Sequence, residues 1–164
     1  MPEDLRASIY PLLRQAVKDD DLSRLTALFG EYPETLQADT AFGSWMHYAA
    51  GLGRLGIVEW LEERGLDINR RGGVLGGTPL NEAASDGHLE VVEYLLRRGA
   101  VMEVDAPERN PLISAIIGDH EAVVSLLIAK GICLTHPDYD AREFARKWGW
   151  PNIIEILDAE AQRN

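Results

Sequence analysis

The side chains that could take part in covalent or metal chemistry are few and scattered. The one cysteine, Cys133, lies three residues before His136, and a thiol nucleophile or a metal site would use these two residue types. Metal sites take three or four ligands, so this pair alone does not predict one. Cys133 follows Gly131 in a short apolar segment, and we therefore expect its side chain to pack in the interior instead of forming a reactive thiolate.

The glycine-rich stretch at residues 72–77 is similar in composition to a phosphate-binding loop, but its surroundings do not fit one. Such a loop ends in Gly-Lys-Ser/Thr, whereas this one continues into Thr78 and Pro79, and proline has no N–H to offer an anion. The adjacent carboxylates Glu62 and Glu63 diverge on a helix, so they cannot act together as general acid and base. The sequence predicts no catalytic residue, no cofactor and no metal, and hence no enzyme.

Composition and charge narrow the class of protein further. The chain has 164 residues, of which 46% are hydrophobic and 26% charged, which is typical of one globular domain. Its 27 Asp and Glu against 16 Lys and Arg give a net charge of −11, so we expect no nucleic-acid partner. The first residues, MPEDLRASIY, do not resemble a secretory leader, and no apolar run approaches membrane length. We expect a cytoplasmic monomer with no membrane partner.

An internal repeat organises nearly the whole chain. Five alanines recur at intervals of 33, 34, 32 and 30 residues, and each is followed at a constant offset by a pair of residues that is apolar in all copies but the first. A leucine follows four residues after the first member of each pair. The alanines are Ala16, Ala49, Ala83, Ala115 and Ala145. A fixed period of this length indicates a stack of similar supersecondary units.

The third copy shows the pattern best. Residues 78–100 read TPLNEAASDGHLEVVEYLLRRGA, which resembles the ankyrin repeat closely, with Asn81 where the family has histidine in its T-P-L-H-x-A-A opening. The second copy keeps that histidine as His47, and the fourth has Asp119 before His120 where Gly-His is expected. The resemblance implies that these histidines are structural and bond loop backbone between repeats.

The resemblance implies an all-α ankyrin-repeat solenoid of about five helix-turn-helix units with short finger loops. Thr78 and Pro79 suit the start of a helix, and the alanines let the first helix of each unit lie close to the second. A single domain over residues 1–164 is expected to divide into units at about 1–43 (N-terminal cap), 44–77, 78–109, 110–139 and 140–164 (C-terminal cap).

The resemblance also implies where a partner would bind. In ankyrin proteins, the fingers and the exposed sides of the first helices form a concave face on which partners usually dock. Trp45 and Tyr48 lie beside the packing alanines, so the sequence leaves them open between core and surface. The predicted partner-binding residues are Phe42, Trp45, Tyr48, Leu52, Val74, Leu75, Glu82, Asp86, Ile117 and Trp148.

These features predict a non-enzymatic module that binds another protein and inhibits it by occlusion. The acidic charge favours a partner with a basic patch. Small, strongly acidic ankyrin proteins are similar in architecture to bacterial immunity proteins, so the partner could be a toxin domain. The alternative is a cytosolic adaptor or regulatory scaffold in a signalling or stress-response complex.

Overall fold

The fold of the chain is a succession of helix pairs. The computed structural model describes residues 3–73 and 76–162, and over those residues it contains ten α-helices. They are α1 (Glu3–Lys18), α2 (Leu22–Glu31), α3 (Trp45–Gly51), α4 (Leu55–Glu63), α5 (Pro79–Ser85), α6 (Leu89–Arg97), α7 (Pro111–Ile117), α8 (Glu121–Ala129), α9 (Ala141–Trp148) and α10 (Pro151–Ala161).

The pairs stack side by side in chain order. The first helices form one layer, in which α3 contacts α5, α5 contacts α7 and α7 contacts α9. The second helices form the other layer, in which α4, α6, α8 and α10 contact each other in turn. This arrangement confirms the predicted all-α ankyrin-repeat solenoid. In the described part of the chain, no helix combines the length and apolar character needed to cross a bilayer.

The repeated alanines and apolar pairs form the core. Ala49, Ala83, Ala115 and Ala145 are fully buried, because they lie where the first helix of one unit meets its neighbours. The pair Val91 and Val92 is buried on the second helix of its unit, as are the corresponding pairs of the second and fourth units. Burial of apolar surface stabilises such a stack by about 25 cal/mol per Å², and each unit buries its stripe only against its neighbours.

Hydrogen bonds between units fix how the helix pairs stack. The Nε2 atom of His88 lies 3.0 Å from the carbonyl oxygen of Gly51, at the end of the preceding unit's first helix. His120 makes the same bond to Ser85, at 2.9 Å. The predicted structural role of these histidines is thus confirmed: each satisfies a helix-end carbonyl that has no partner within its own helix.

The segments between the helix pairs, called the fingers below, are tied to each other. The Arg71 Nε atom donates to Glu103 at 3.0 Å, and its Nη2 lies 3.3 Å from Asp105 on the next finger. Two short strands, Thr135–His136 and Tyr139–Asp140, pair as a hairpin in the last finger. The Tyr139 hydroxyl, in turn, donates to the Val104 carbonyl oxygen of the preceding finger. These bonds give the fingers a common orientation beside the first helices.

Candidate partner-binding face

The candidate site is the surface that the first helices and the fingers share, here called the concave face. Three positions of each unit line this face. They are the residue directly before the repeated alanine and the residues two and three positions after it. In the second unit these are Tyr48, Gly51 and Leu52, and all three lie on the wall of one cleft. The repeat therefore presents its variable side chains to one side in three columns.

Three predicted contact residues expose much of their apolar side chains on this face. Phe42 is 43% exposed on a finger, Ile117 is 41% exposed at the end of α7, and Trp148 is 48% exposed at the end of α9. Large apolar side chains that lie in water contribute strongly to binding when a partner covers them. Their role in binding stays a prediction, but their accessibility fits it.

Four further predicted residues line the same face at lower or mixed exposure. Tyr48, Leu52 and Glu82 are half-buried, and Asp86 is exposed. The remaining two predicted finger residues, Val74 and Leu75, lie outside the described residues.

The assignment of Trp45 to the concave face is wrong. Its side chain is fully buried, and the indole Nε1 donates to the Thr35 carbonyl oxygen at 2.8 Å. The rings of Tyr10 and Phe29 meet it edge-on, at centroid distances of 5.7 and 5.8 Å. Trp45 is the first residue of α3, where it fills the space against the N-terminal helix pair, so it belongs to the core.

One cleft on the concave face combines aromatic and acidic walls. It has a volume of about 160 Å³ and lies between α3 and α5. The rings of Phe42 and Tyr48 stack with centroids 5.4 Å apart and an interplanar angle of 21°. Glu82 of α5 and Asp86, which directly follows the last residue of α5, form the acidic wall. Burial raises the pKa of the Glu82 carboxyl, and the nearby Asp86 charge raises it further.

A second cleft, of about 280 Å³, lies further along the same face and is apolar. Its walls include Pro107 from a finger, Ile113 and Ile117 from α7, and Phe144 from α9. Phe144 is not among the predicted contact residues. The signal was present, because Phe144 precedes Ala145 as Tyr48 precedes Ala49 and thus occupies the same column.

His47 connects the second unit to the next finger. Its Nδ1 accepts from the Ser44 backbone N–H at 3.2 Å and lies 2.9 Å from the Ser44 hydroxyl, while its Nε2 lies 3.3 Å from the Gly77 carbonyl oxygen. Burial lowers the pKa of His47, with the Arg70 charge acting in the same direction. The neutral ring accepts at one nitrogen and donates at the other, which is the arrangement these partners require.

We expect His47→Asn to reduce the loss of stability on acidification. Because the pKa of His47 is lowered in the folded chain, the unfolded chain takes up the proton first as the pH falls through about 6.5. The free energy of unfolding therefore decreases between about pH 7 and pH 5. Asparagine already serves at this position as Asn81, whose Oδ1 accepts from the Thr78 N–H and hydroxyl.

The measurement is urea unfolding of both proteins at several pH values. A constant offset between the two curves reflects the lost bond to Gly77, whereas a pH-dependent difference reports the titration of His47. Parallel curves from pH 7 to pH 5 would show that His47 does not couple folding to protons.

The expectation that Cys133 is packed in the interior is wrong. Its side chain is exposed, and the thiol lies 3.3 Å from the Thr135 carbonyl oxygen, because the chain turns outward there into the hairpin. His136 stacks on Tyr139 and faces Asp138. Within residues 3–73 and 76–162, no three His, Cys, Asp or Glu side chains lie close enough together to hold a metal ion.

The comparison with known proteins agrees with this fold. The family model "Ankyrin repeats (3 copies)" matches residues 46–138. The chain is 34% identical to a protein fem-1 homolog A-like of Mus musculus over 102 residues, 62% of this chain and 15% of that protein. It is 42% identical to a palmitoyltransferase of Lachancea kluyveri over 57 residues, 35% of this chain and 8% of that protein.

A bacterial relative matches as well. An ankyrin repeat protein of Rickettsia felis is 36% identical over 80 residues, which cover 47% of this chain and 35% of the relative. The chain thus spans about a third or less of the length of these relatives, and it matches the palmitoyltransferase in its repeats alone. Since the family model covers more than half of the 164 residues, the chain belongs to the ankyrin-repeat family, whose repeats are modules for binding other proteins.

Proposed function

We propose that this protein binds a partner protein through its concave face and inhibits it by covering the partner's working surface. The observation that carries the proposal is that exposed Phe42 and Ile117 each line a cleft of the concave face. Exposed Trp148 occupies the same repeat position as Leu52 and Asp86, three residues after the alanine of its unit. Apolar anchors set beside polar side chains are the composition of interface hot spots.

Charge defines the partner further. The centre of the face carries Glu82, Asp86 and Glu108, and the chain as a whole has a net charge of −11. A partner with a basic patch around an apolar centre would associate fast, because opposite charges steer the encounter, and the anchors would slow its release. In this proposal the chain acts as a monomer in the cytosol, and a basic toxin domain is one partner of the required kind.

The test begins with a tagged pull-down from the native lysate at low and high salt, using the full chain and its Ile117→Arg variant. Ile117→Arg places a charged side chain on the apolar cleft and should weaken partner binding at least tenfold, as loss of a hot spot does. The control is Ala129→Arg, at an exposed position on the second helix α8, which should bind as the unchanged chain does.

The outcome decides between the proposed function and its alternatives. A partner that loses its activity on binding, and regains it with Ile117→Arg, supports inhibition by occlusion. A partner that binds through the same face and stays active indicates an adaptor instead. Equal binding by Ile117→Arg and Ala129→Arg would mean that the concave face is not the binding surface.

A further inference from the structure

The cleft between α3 and α5, named here the aromatic–acidic pocket, carries an inference that rests on the proposed function. It is formed by Phe42, Tyr48, Leu52, Glu82 and Asp86. Its aromatic side consists of the stacked rings of Phe42 and Tyr48. Its other side presents the carboxylates of Glu82 on α5 and of Asp86 at the C-cap of α5.

Half-buried Glu82 differs from half-buried Glu62 and Glu103 in having no cation. Glu62 accepts from the Arg98 guanidinium at 2.8 Å, and Glu103 accepts from Arg71 at 3.0 Å. In the described part of the chain, neither Glu82 nor Asp86 has an ion pair or a side-chain hydrogen bond. A half-buried carboxylate without a partner is unfavourable, and the raised pKa of Glu82 expresses that. A bound cation would remove the penalty.

We propose that the aromatic–acidic pocket binds an arginine side chain of the partner protein. A guanidinium is planar, so it can stack on the free ring face of the Phe42–Tyr48 pair, while its five N–H groups can reach both Glu82 and Asp86. A lysine ammonium offers a single charged point and no plane to stack, and its stronger hydration disfavours entry into a half-buried site. The pocket volume of about 160 Å³ is compatible with one such side chain.

The position of the apolar cleft adds a second requirement. The aromatic–acidic pocket lies between α3 and α5, and the apolar cleft centres on α7, so the two are about one and a half helices apart. Packed helices are spaced by about 8–10 Å, which places the two sites ~12–15 Å apart. An extended chain advances about 3.3 Å per residue. The partner segment therefore carries its arginine roughly four residues from an apolar side chain.

The test is selection of a random twelve-residue peptide library displayed on phage, against the full chain. We expect the selected peptides to share an arginine and an apolar residue about four positions apart. In synthetic versions, replacing that arginine with citrulline, which keeps the shape and removes the charge, should weaken binding about tenfold or more. The double variant Glu82→Gln/Asp86→Asn should weaken binding to a similar extent.

Matched variants separate this effect from folding and from general charge. Glu93→Gln removes an exposed carboxylate from α6, the second helix of the same unit, and should leave peptide affinity unchanged. Glu82→Gln/Asp86→Asn should unfold at no lower temperature than the unchanged chain, because it removes a half-buried charge that lacks a partner.

The possible failures are distinguishable. The selected peptides could bind the concave face, so that Ile117→Arg weakens them, and yet lack arginine or bind Glu82→Gln/Asp86→Asn as well as the unchanged chain. That result would overturn the arginine site and leave the proposed function standing. A selection that yields no peptide would overturn both the arginine site and the proposed function. The same holds if no concave-face variant weakens the binding of any selected peptide.

Discussion

Replacing Trp45 with alanine is expected to lower the free energy of unfolding by about 3–5 kcal/mol. The side chain is fully buried and fills the space between the first two helix pairs, against Tyr10 and Phe29. Its removal leaves a cavity there and also takes the hydrogen-bond donor away from the buried Thr35 carbonyl oxygen. Urea unfolding followed by circular dichroism measures the loss.

Two further variants divide this effect into its parts. Trp45→Phe keeps an aromatic ring but loses the indole N–H, so about 1–2 kcal/mol is expected from the unsatisfied carbonyl and the smaller ring. Trp148→Ala, at a 48% exposed position, should change the free energy of unfolding by no more than about 0.5 kcal/mol. If Trp45→Ala were as mild as Trp148→Ala, Trp45 would not be a core residue in solution.

Trp45 shows where sequence reasoning reaches its limit. In the third and fourth units the first residue of the first helix is a proline, Pro79 or Pro111, so the repeat predicts no large side chain there. What Trp45 packs against is the N-terminal unit, which departs most from the repeat pattern. The repeat pattern predicts which residues face the neighbouring unit. It does not predict how much space a neighbouring unit of atypical sequence leaves for them, and only the folded structure shows this.

The positions that line the concave face were predictable, because they do not depend on an atypical neighbouring unit. The residues of this face follow the register of the repeat, so Tyr48, Glu82 and Phe144 share a column because each precedes the alanine of its unit. The pairing of side chains within the face was not predictable. The stacking of Phe42 on Tyr48 depends on how a finger returns to α3, and no period in the sequence encodes the path of a finger.

A coupling between successive units became visible only in the structure. In each unit, one residue between the first and second helix has a positive φ. It is glycine in three units and aspartate in the other two, as Asp20 and Asp119. After the aspartates, the next unit has Arg54 or Trp150 where histidine stands elsewhere. A Cβ atom at Gly87 would lie 2.4 Å from the ring of His120, so a side chain fits there only when that histidine is absent.

Arg54 shows how a unit without the histidine satisfies the same acceptor. Its Nη2 atom donates to the Lys18 carbonyl oxygen, which occupies the position of Gly51 and Ser85 in the later units. A flexible arginine reaches this carbonyl while Asp20 occupies the glycine position. The glycine–histidine pair is thus one solution to capping the first helix across a unit boundary, and the aspartate–arginine pair is another.

Gly87→Ala is therefore expected to lower the free energy of unfolding by about 2–3 kcal/mol, from two sources. The φ of +75° at Gly87 is unfavourable for alanine by about 1–2 kcal/mol. In addition, the new methyl group displaces the His120 ring and breaks its bond to Ser85, at a cost of about 1 kcal/mol. Urea unfolding of the full chain measures the total.

Gly149 and His120 provide the controls that separate these two sources. Gly149 has the same φ of +75°, but an added Cβ would meet nothing within 4 Å, so Gly149→Ala should show the backbone effect alone. In a His120→Ala background, Gly87→Ala should likewise cost only about 1–2 kcal/mol, because the ring it displaces is gone. An equal cost of Gly87→Ala with and without His120 would refute the coupling, since contact between the two units would then play no part in the choice of glycine.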